Sequence, residues 1–392
     1  MAHGLTLPDP ALCPDAPVDA RLSPHSVSDP ARLLEGGTRF LLARPRAGLN
    51  DALMQLERCR RYAAAYDRTL VLDLTRGGMR LPFGELFRAR PEFGCAVLDA
   101  SPDVIAALDR IADVEPAGIA GRLGSYEPTW HEQGLMYACR DTGTPLRFDM
   151  SRDHAARCLV YEQAGGGLTG VWPLRGLSLA PDIAAEIVAR LARLGPDYDA
   201  LHVRHTDYQT DFRKLFERTK PLFVGRRLLV CTDSAEVQRF ARSYFAPEVE
   251  VLFSSEIPDL GGKPIHETRI VAARVAAVDQ FCDLIAMARA RRYLFSALSS
   301  LGQSGRPMIS GYSILVEGMR TLPQVAEGLL ALAPNREMLA RAAPPAAAPR
   351  LSLGQRLARA GAEMGSLVWN RRVQRKRLQV RRAVLGREPQ LR

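Results

Sequence analysis

Two five-residue runs, Leu70–Leu74 (LVLDL) and Leu228–Thr232 (LLVCT), limit the fold more than any other feature of the sequence. Each is apolar at nearly every position, so neither shows the alternation of a strand with one wet face. Such strands need cover on both faces, which parallel sheets obtain from crossover helices. Similar short runs recur at Arg39–Ala43, Cys95–Asp99, Cys158–Glu162, Asp199–Arg204, Glu250–Phe253, Arg292–Ser296 and Met308–Ser310, with helical periodicity between them. The expectation is an α/β chain of strand-helix-strand units.

A chain of 392 residues exceeds what one core usually serves. A break falls at Leu194–Asp197, where the helical run IAAEIVARLAR gives way to a Gly-Pro turn and a new strand. The organisation expected is a flexible lead-in (1–37), a first Rossmann-like domain (38–195), a second (196–335) and a basic tail (336–392). Within the tail, RAAPPAAAPR (341–350) reads as a linker. No internal repeat is evident.

The net charge of +10 is unevenly placed. Residues 336–392 hold fourteen Arg or Lys against three Glu, which leaves the preceding 335 residues at −1. The basic balance therefore describes the tail and gives no sign of a specific nucleic-acid-binding core. The N-terminus lacks the pattern of a secretory signal, and no apolar run reaches the roughly 18 residues of a spanning helix. Seven widely spaced cysteines without a C-x-x-C pair fit reduced thiols in a cytoplasm. In the tail, Leu353, Leu357, Met364, Leu367 and Val368 fall at roughly helical intervals among arginines, with Trp369 beside them. That pattern suits either a helix on an anionic membrane surface, peripheral on the inner membrane, or a helix packed on the body with a solvated basic face.

Four segments carry candidate chemistry. In Pro45–Asp73 a strand, a turn, a helix and a second strand make a βαβ opening, in which Gly48 lets the backbone approach a ligand and Asn50 can cap the helix. The competing reading, which the spacing alone favours, is a plain strand-to-helix turn in which Gly48 serves only the bend. In LHVRHTD (Leu201–Asp207) the period of two sends Leu201 and Val203 to one face and His202 and Arg204 to the other. Arg204 then stands at the strand's C-terminal end, where open α/β sheets place ligands, and its planar donors match a diphosphate. The competing reading is a structural ion pair of Arg204 with Asp207. His205 alone reads as a hydrogen-bonded wall residue, and a metal held by His202 and His205 is excluded because the two point to opposite faces. In LLVCTDSAEV, Thr232 and Asp233 share that rim or merely precede a cap. In Asp283–Gly305 a helix and the strand RYLFS lead to a Ser/Gly loop whose hydroxyls and amides, Ser299 and Ser300 among them, could hold phosphate.

Taken in order, these segments resemble the fucosyltransferase superfamily that includes the nodulation and α1,6-fucosyltransferases, over about Arg39 to Leu330. G-L-N-x-x-L-x-x-L-x-x-C followed by T-L-V-L-D is similar to the family's opening unit. His202-Val203-Arg204-His205-Thr206-Asp207 is similar to its H-x-R-R-x-D. Thr232-Asp233-Ser234 matches the second motif, and Asp283 with Ser299-Ser300 the third. The resemblance implies a GT-B type fold, two Rossmann-like domains facing each other across a cleft, with the nucleotide sugar on the second domain and the acceptor on the first. It implies that Arg204 binds the β-phosphate of GDP-fucose, that His202 and Asp283 contact the guanosine, that Ser299 assists the diphosphate, and that no metal or other cofactor is needed.

Two departures stand out. The family's second Arg is His205, and Tyr208-Gln209-Thr210-Asp211 replaces the Lys and Glu that follow the motif in α1,6 enzymes. The reaction implied is inverting displacement at the anomeric carbon, with Arg204 stabilising the departing GDP and Asp207 or Asp211 taking the acceptor's proton. The acceptor class is a glycan or lipid-linked glycan. Alternatives are a transferase for another nucleotide sugar, and a non-catalytic module that docks a membrane or protein through its tail.

Overall fold

The computed structural model of the chain describes residues 37–259, 261, 270–299, 307–341, 351–369 and 371–386. Ser300, nearly all of the lead-in and residues 342–350 of the linker lie outside them.

The first half runs β1 (Phe40–Ala43), α1 (Leu49–Ala65), β2 (Thr69–Leu72), α2 (Phe83–Leu86), β3 (Phe87–Ala89), β4 (Val97–Asp99), α3 (Pro102–Leu108), β5 (Val114–Glu115), β6 (Pro128–His131), β7 (Met136–Cys139), β8 (Cys158–Tyr161), α4 (Val171–Leu174), β9 (Leu177–Leu179) and α5 (Pro181–Leu194). The second runs β10 (Asp199–Val203), α6 (Phe212–Phe223), β11 (Arg227–Thr232), α7 (Ala235–Phe245), β12 (Glu250–Leu252), α8 (Ala273–Arg289), β13 (Arg292–Phe295), α9 (Gly311–Thr321) and α10 (Pro323–Leu329). Then follow α11 (Met338–Arg341), α12 (Leu353–Trp369) and α13 (Arg371–Leu385).

Each half is built on a wholly parallel sheet, β4-β2-β1-β8-β5 in the first and β12-β11-β10-β13 in the second. In both, the chain moves outward from the starting strand and returns to its other side. The topological switch points, where such sheets bind ligands at their C-terminal edges, therefore lie beside β1 and β10. The sequence explains why these strands are covered on both faces. In β1, Phe40 and Leu42 enter one core while Leu41 and Ala43 enter another, and all four are fully buried. In β10, Leu201 and Val203 join the outer core of the second half, and Ala200 faces the opposite side.

Helix α1 shows how the pattern becomes packing. Leu49, Ala52, Leu53, Leu56, Cys59 and Ala63 recur at three- and four-residue steps and are all buried. Burying each large apolar side chain contributes about 1.5–3 kcal/mol before entropy is counted. That face belongs to a core which continues through α5, α8 and α9 to Leu229, Cys231, Tyr293 and Phe295 of the second sheet. The two halves thus share one interior beneath their rims.

Sequence and structure differ in the minor strands. Residues 308–310, expected as a strand, are irregular and lead into α9. The antiparallel pairs β3–β9 and β6–β7 were not expected. PTWH has no apolar run, MYAC is only four residues long, and the four residues between them offer no recognisable two-residue hairpin turn.

The tail is a built part of the fold. On α13, Val373, Val380 and Val384 are buried on one face against α9. Arg377 pairs with Glu317 of α9 at 2.7 Å and lies 4.9 Å from the centre of the Phe295 ring. Helix α12 rests on α6, and its Glu363 pairs with Arg292 at 2.9 Å. Among the described residues no helix is long and apolar enough to cross a membrane. The described cysteines are all unpaired, Cys95 half-buried and the others buried.

Candidate active site

A cleft of about 520 Å³ separates the two rims. From the first half it is lined after β1 by Ala47, Gly48, Asn50 and Asp51, after β2 by Gly78 and Arg80, and after β8 by Gly167 and Leu168. From the second it is lined by Arg204 and Asp207 after β10, Thr232 and Asp233 at the end of β11, Ser255 after β12 and Leu298 after β13. The C-terminal edges of both sheets therefore converge on one space, as the βαβ reading requires.

Arg204 is four-fifths buried, and two carboxylates hold it, Asp207 at 2.5 Å and Asp233 at 2.9 Å. Asp233 also accepts from the His205 backbone amide at 2.7 Å and from the Thr206 hydroxyl at 2.6 Å. It is the post on which the 204–206 segment hangs, which gives it a structural task beyond lining the cleft. Asp207 accepts from the Tyr208 amide at 3.0 Å. The ion-pair reading of Arg204 thus describes this arrangement, and the trio carries a net charge of −1. An incoming anion must displace one carboxylate or be matched by another cation, because like charges about 4 Å apart near a protein surface repel by about 4 kcal/mol.

His202 lies on the cleft with its Nδ1 2.7 Å from the Ser313 hydroxyl. Burial, and secondarily Arg204, push it down to about 3, so the ring is neutral at ordinary pH. Asp283 also lines the cleft and bonds to the Ser254 hydroxyl; burial raises it to about 7. Thr232 is buried on the rim and accepts from the Ser234 amide at 3.2 Å.

Other expected residues are placed differently. Asp211 does not line the cleft; it caps α6, accepting from the Lys214 amide at 3.1 Å. One carboxylate oxygen is engaged in the cap, and the residue stands away from the cleft lining. Ser299 is exposed and outside the cleft lining, its amide bonded to the Gln209 carbonyl at 2.7 Å. Asn50 does not cap α1, because Gly48 is the N-cap and makes no side-chain bond. Asn50 instead accepts from the Gly170 amide at 2.9 Å and links α1 to the chain after β8. Gly48 has φ −69° and ψ 171°, and a Cβ there would meet nothing within 4 Å, so no contact within the protein explains a glycine. His205 turns away from the cleft, its Nδ1 2.9 Å from the Thr210 carbonyl and its ring edge-on to Phe212.

Several cleft residues escaped the sequence reading. Asp51, in the first turn of α1, forms no hydrogen bond or ion pair among the described residues, and burial raises its pKa. Asp279 pairs with Arg190, and the Tyr312 hydroxyl donates to the Gln280 carbonyl. Lys376 arrives from α13. Asp51 adjoins a residue already singled out and could have been found by helical position; Lys376 could not, because nothing local marks which face of an arginine-rich helix turns inward.

Beneath the first rim lies a separate buried charge cluster. Arg44, 1% exposed, donates to Asp73 at 3.0 Å with its guanidinium 5.0 Å from the Tyr126 ring centre. Glu162, fully buried, accepts from the Tyr126 hydroxyl at 2.5 Å and from Arg46 Nε at 2.6 Å. None of these residues lines the cleft.

Two parallel α/β halves whose strand ends meet at one cleft define a GT-B type architecture. No family profile and no curated protein matches the sequence. Among solved structures the chain is similar to the NodZ α-1,6-fucosyltransferase co-crystallised with GDP, at 19% identity over 67% of this chain and 89% of that one, TM-score 0.44. It is also similar to fucosyltransferase NodZ from Bradyrhizobium, at 18% over 71% and 91%, TM-score 0.46. A further likeness is to POFUT1 in complex with GDP-fucose, at 12% over 72% and 94%, TM-score 0.39.

Proposed function

We propose that this chain is an inverting glycosyltransferase that moves fucose from GDP-fucose to a glycan or glycolipid acceptor. The observation that carries the reading is the convergence of both C-terminal sheet edges on one cleft, with Arg204 on its second rim. The motif resemblance around Arg204 supplies the donor's identity. Arg204 holds the diphosphate in place of Asp207 and stabilises the charge that develops as GDP leaves. His202, buried, and Asp283, half-buried, line the same rim and hold the nucleoside, with Thr232 beside them.

In the reaction the bond from the anomeric carbon to the phosphate oxygen breaks with its electron pair leaving on GDP. The acceptor oxygen forms the new bond on the opposite face, and its proton passes to a carboxylate. Asp207 stands on the donor rim beside the departing phosphate and Asp211 does not line the cleft, so the proton acceptor assigned here is Asp51, which lies on the opposite rim and whose pKa burial raises. Incubation with GDP-fucose and an acceptor panel, following GDP release, tests the reading. Arg204→Ala should lower turnover about 10²- to 10³-fold. Retention of wild-type turnover removes the phosphate role.

A second reading concerns location. Leu353, Leu357 and Met364 of α12 are 66%, 65% and 69% exposed. This row, beside a basic helix, supports peripheral attachment to an anionic cytoplasmic membrane face. Because α13 is embedded in the fold, the test is substitution and not deletion. Leu353→Gln with Leu357→Gln should abolish co-sedimentation with anionic vesicles, and undiminished recovery removes the membrane reading.

A further inference from the structure

Lys376 lines the cleft although it belongs to the last helix of the described chain. Its position is fixed. Val373 and Val380, on either side of it in α13, are buried, and the adjacent Arg377 is tied to Glu317 and to the Tyr293 carbonyl of β13. Strand β13 pairs with β10, the strand that ends in the Arg204 segment. The helix is therefore anchored to the strand next to the donor rim, and Lys376 is a placed side chain instead of a solvated one.

Its electrostatic situation is the reverse of that of Arg204. Asp207 and Asp233 satisfy Arg204 twice, whereas Lys376 has no carboxylate partner among the described residues. Burial and the nearby Arg372 both disfavour its charged form, and an anion would relieve both. The rim that should meet a diphosphate carries −1 around Arg204, and His205, at the position of a second arginine, faces Thr210. Arg80 supplies one cation from the first rim, and α13 brings a second.

We propose that Lys376 is a phosphate-binding residue of the donor site, so that the C-terminal helix completes the pocket for the anionic part of a nucleoside diphosphate sugar. This rests on the glycosyltransferase reading above. It makes the basic tail two-sided: arginines such as Arg371, Arg375 and Arg381 face outward, while Lys376 faces the substrate.

Calorimetric titration of the full chain with GDP tests it, with the ligand-free unfolding midpoint as the folding control. Lys376→Met should keep the midpoint and bind GDP about tenfold more weakly, the loss of one charge-assisted contact. Lys376→Arg should stay within about threefold of wild type, and Arg375→Gln, on the exposed side, should match it. Unchanged GDP binding by Lys376→Met overturns the assignment while leaving the transferase reading intact. Equal weakening by Lys376→Arg also overturns it, because a charge role tolerates that exchange. If the wild-type chain binds neither GDP nor UDP nor ADP, both readings fall together.

Discussion

The two rims of the cleft use charge in opposite ways. In the second half, Arg204, Asp207, Asp233, His202 and Asp283 stand at the cleft surface. In the first half the comparable strand-end charges, Arg44, Asp73 and Glu162, are sealed beneath the rim with Tyr126. The surface left there is mostly of small residues, Ala47, Gly48, Gly78, Gly167 and Leu168, with Asp51 and Arg80 as its charges. Charge presented at the surface suits a ligand recognised through ion pairs that can exchange with those already formed. A surface of small residues over a rigid ionic base suits a partner recognised by shape.

The comparison breaks most sharply if the sealed cluster is opened. Glu162→Ala leaves Arg46 and the Tyr126 hydroxyl without their buried acceptor and should cost about 3–5 kcal/mol of stability, read by urea unfolding. Its activity loss should follow the unfolded fraction, since none of the cluster reaches the cleft. A turnover loss without a stability loss would move these charges into the site.

Asp51 tests whether the first rim takes part in chemistry. Asp51→Asn should lower turnover about 10²- to 10⁴-fold while GDP binding stays unchanged. A parallel loss of GDP affinity would place Asp51 on the donor side.

The second rim makes a prediction about pH. Asp283 keeps its proton in the folded protein up to about 7, whereas the unfolded chain releases it near 4, so its contribution to stability falls as pH rises between those values. His202, folded value about 3 against an ordinary 6.5, works the other way: its contribution is lost as pH falls from 6.5 toward 3. From about 4 to 6.5 the two slopes oppose. Asp283→Asn should expose the His202 slope, at most about 1.4 kcal/mol per pH unit, in unfolding midpoints measured across that range. An unchanged pH profile would mean that Asp283 ionises normally.

The smallest effect is expected at Gly48. Gly48→Ala should change stability by less than about 0.5 kcal/mol, because the added Cβ meets open space, yet lower turnover severalfold by crowding the cleft. Unchanged turnover would return Gly48 to the role of a simple turn.

What could be read from the sequence follows a physical division. The parallel sheets were legible because continuously apolar strands admit few arrangements, and Arg204 because a period of two and the strand-end rule are local. The partner of Arg204 was legible only as an alternative, since a carboxylate one turn away and a bound phosphate satisfy the same guanidinium. Asn50 misled because its side chain crosses to Gly170 instead of capping its own helix. Asp211 caps α6 outside the cleft lining, a placement that its closeness in sequence to Arg204 does not reveal. Lys376 was hidden because three valines spread among arginines look like a solvated helix until α9 is there to receive them.

The interior shared by the two halves has a mechanical consequence. A chain whose α1, α5, α8 and α9 belong to one continuous core cannot open like a clamshell without exposing apolar surface. Exchange of reactant for product is then governed by small parts at the rim. On the proposed reading, an Arg204 guanidinium that exchanges Asp207 for phosphate would be the latch, and the body around it the frame that keeps the latch in register.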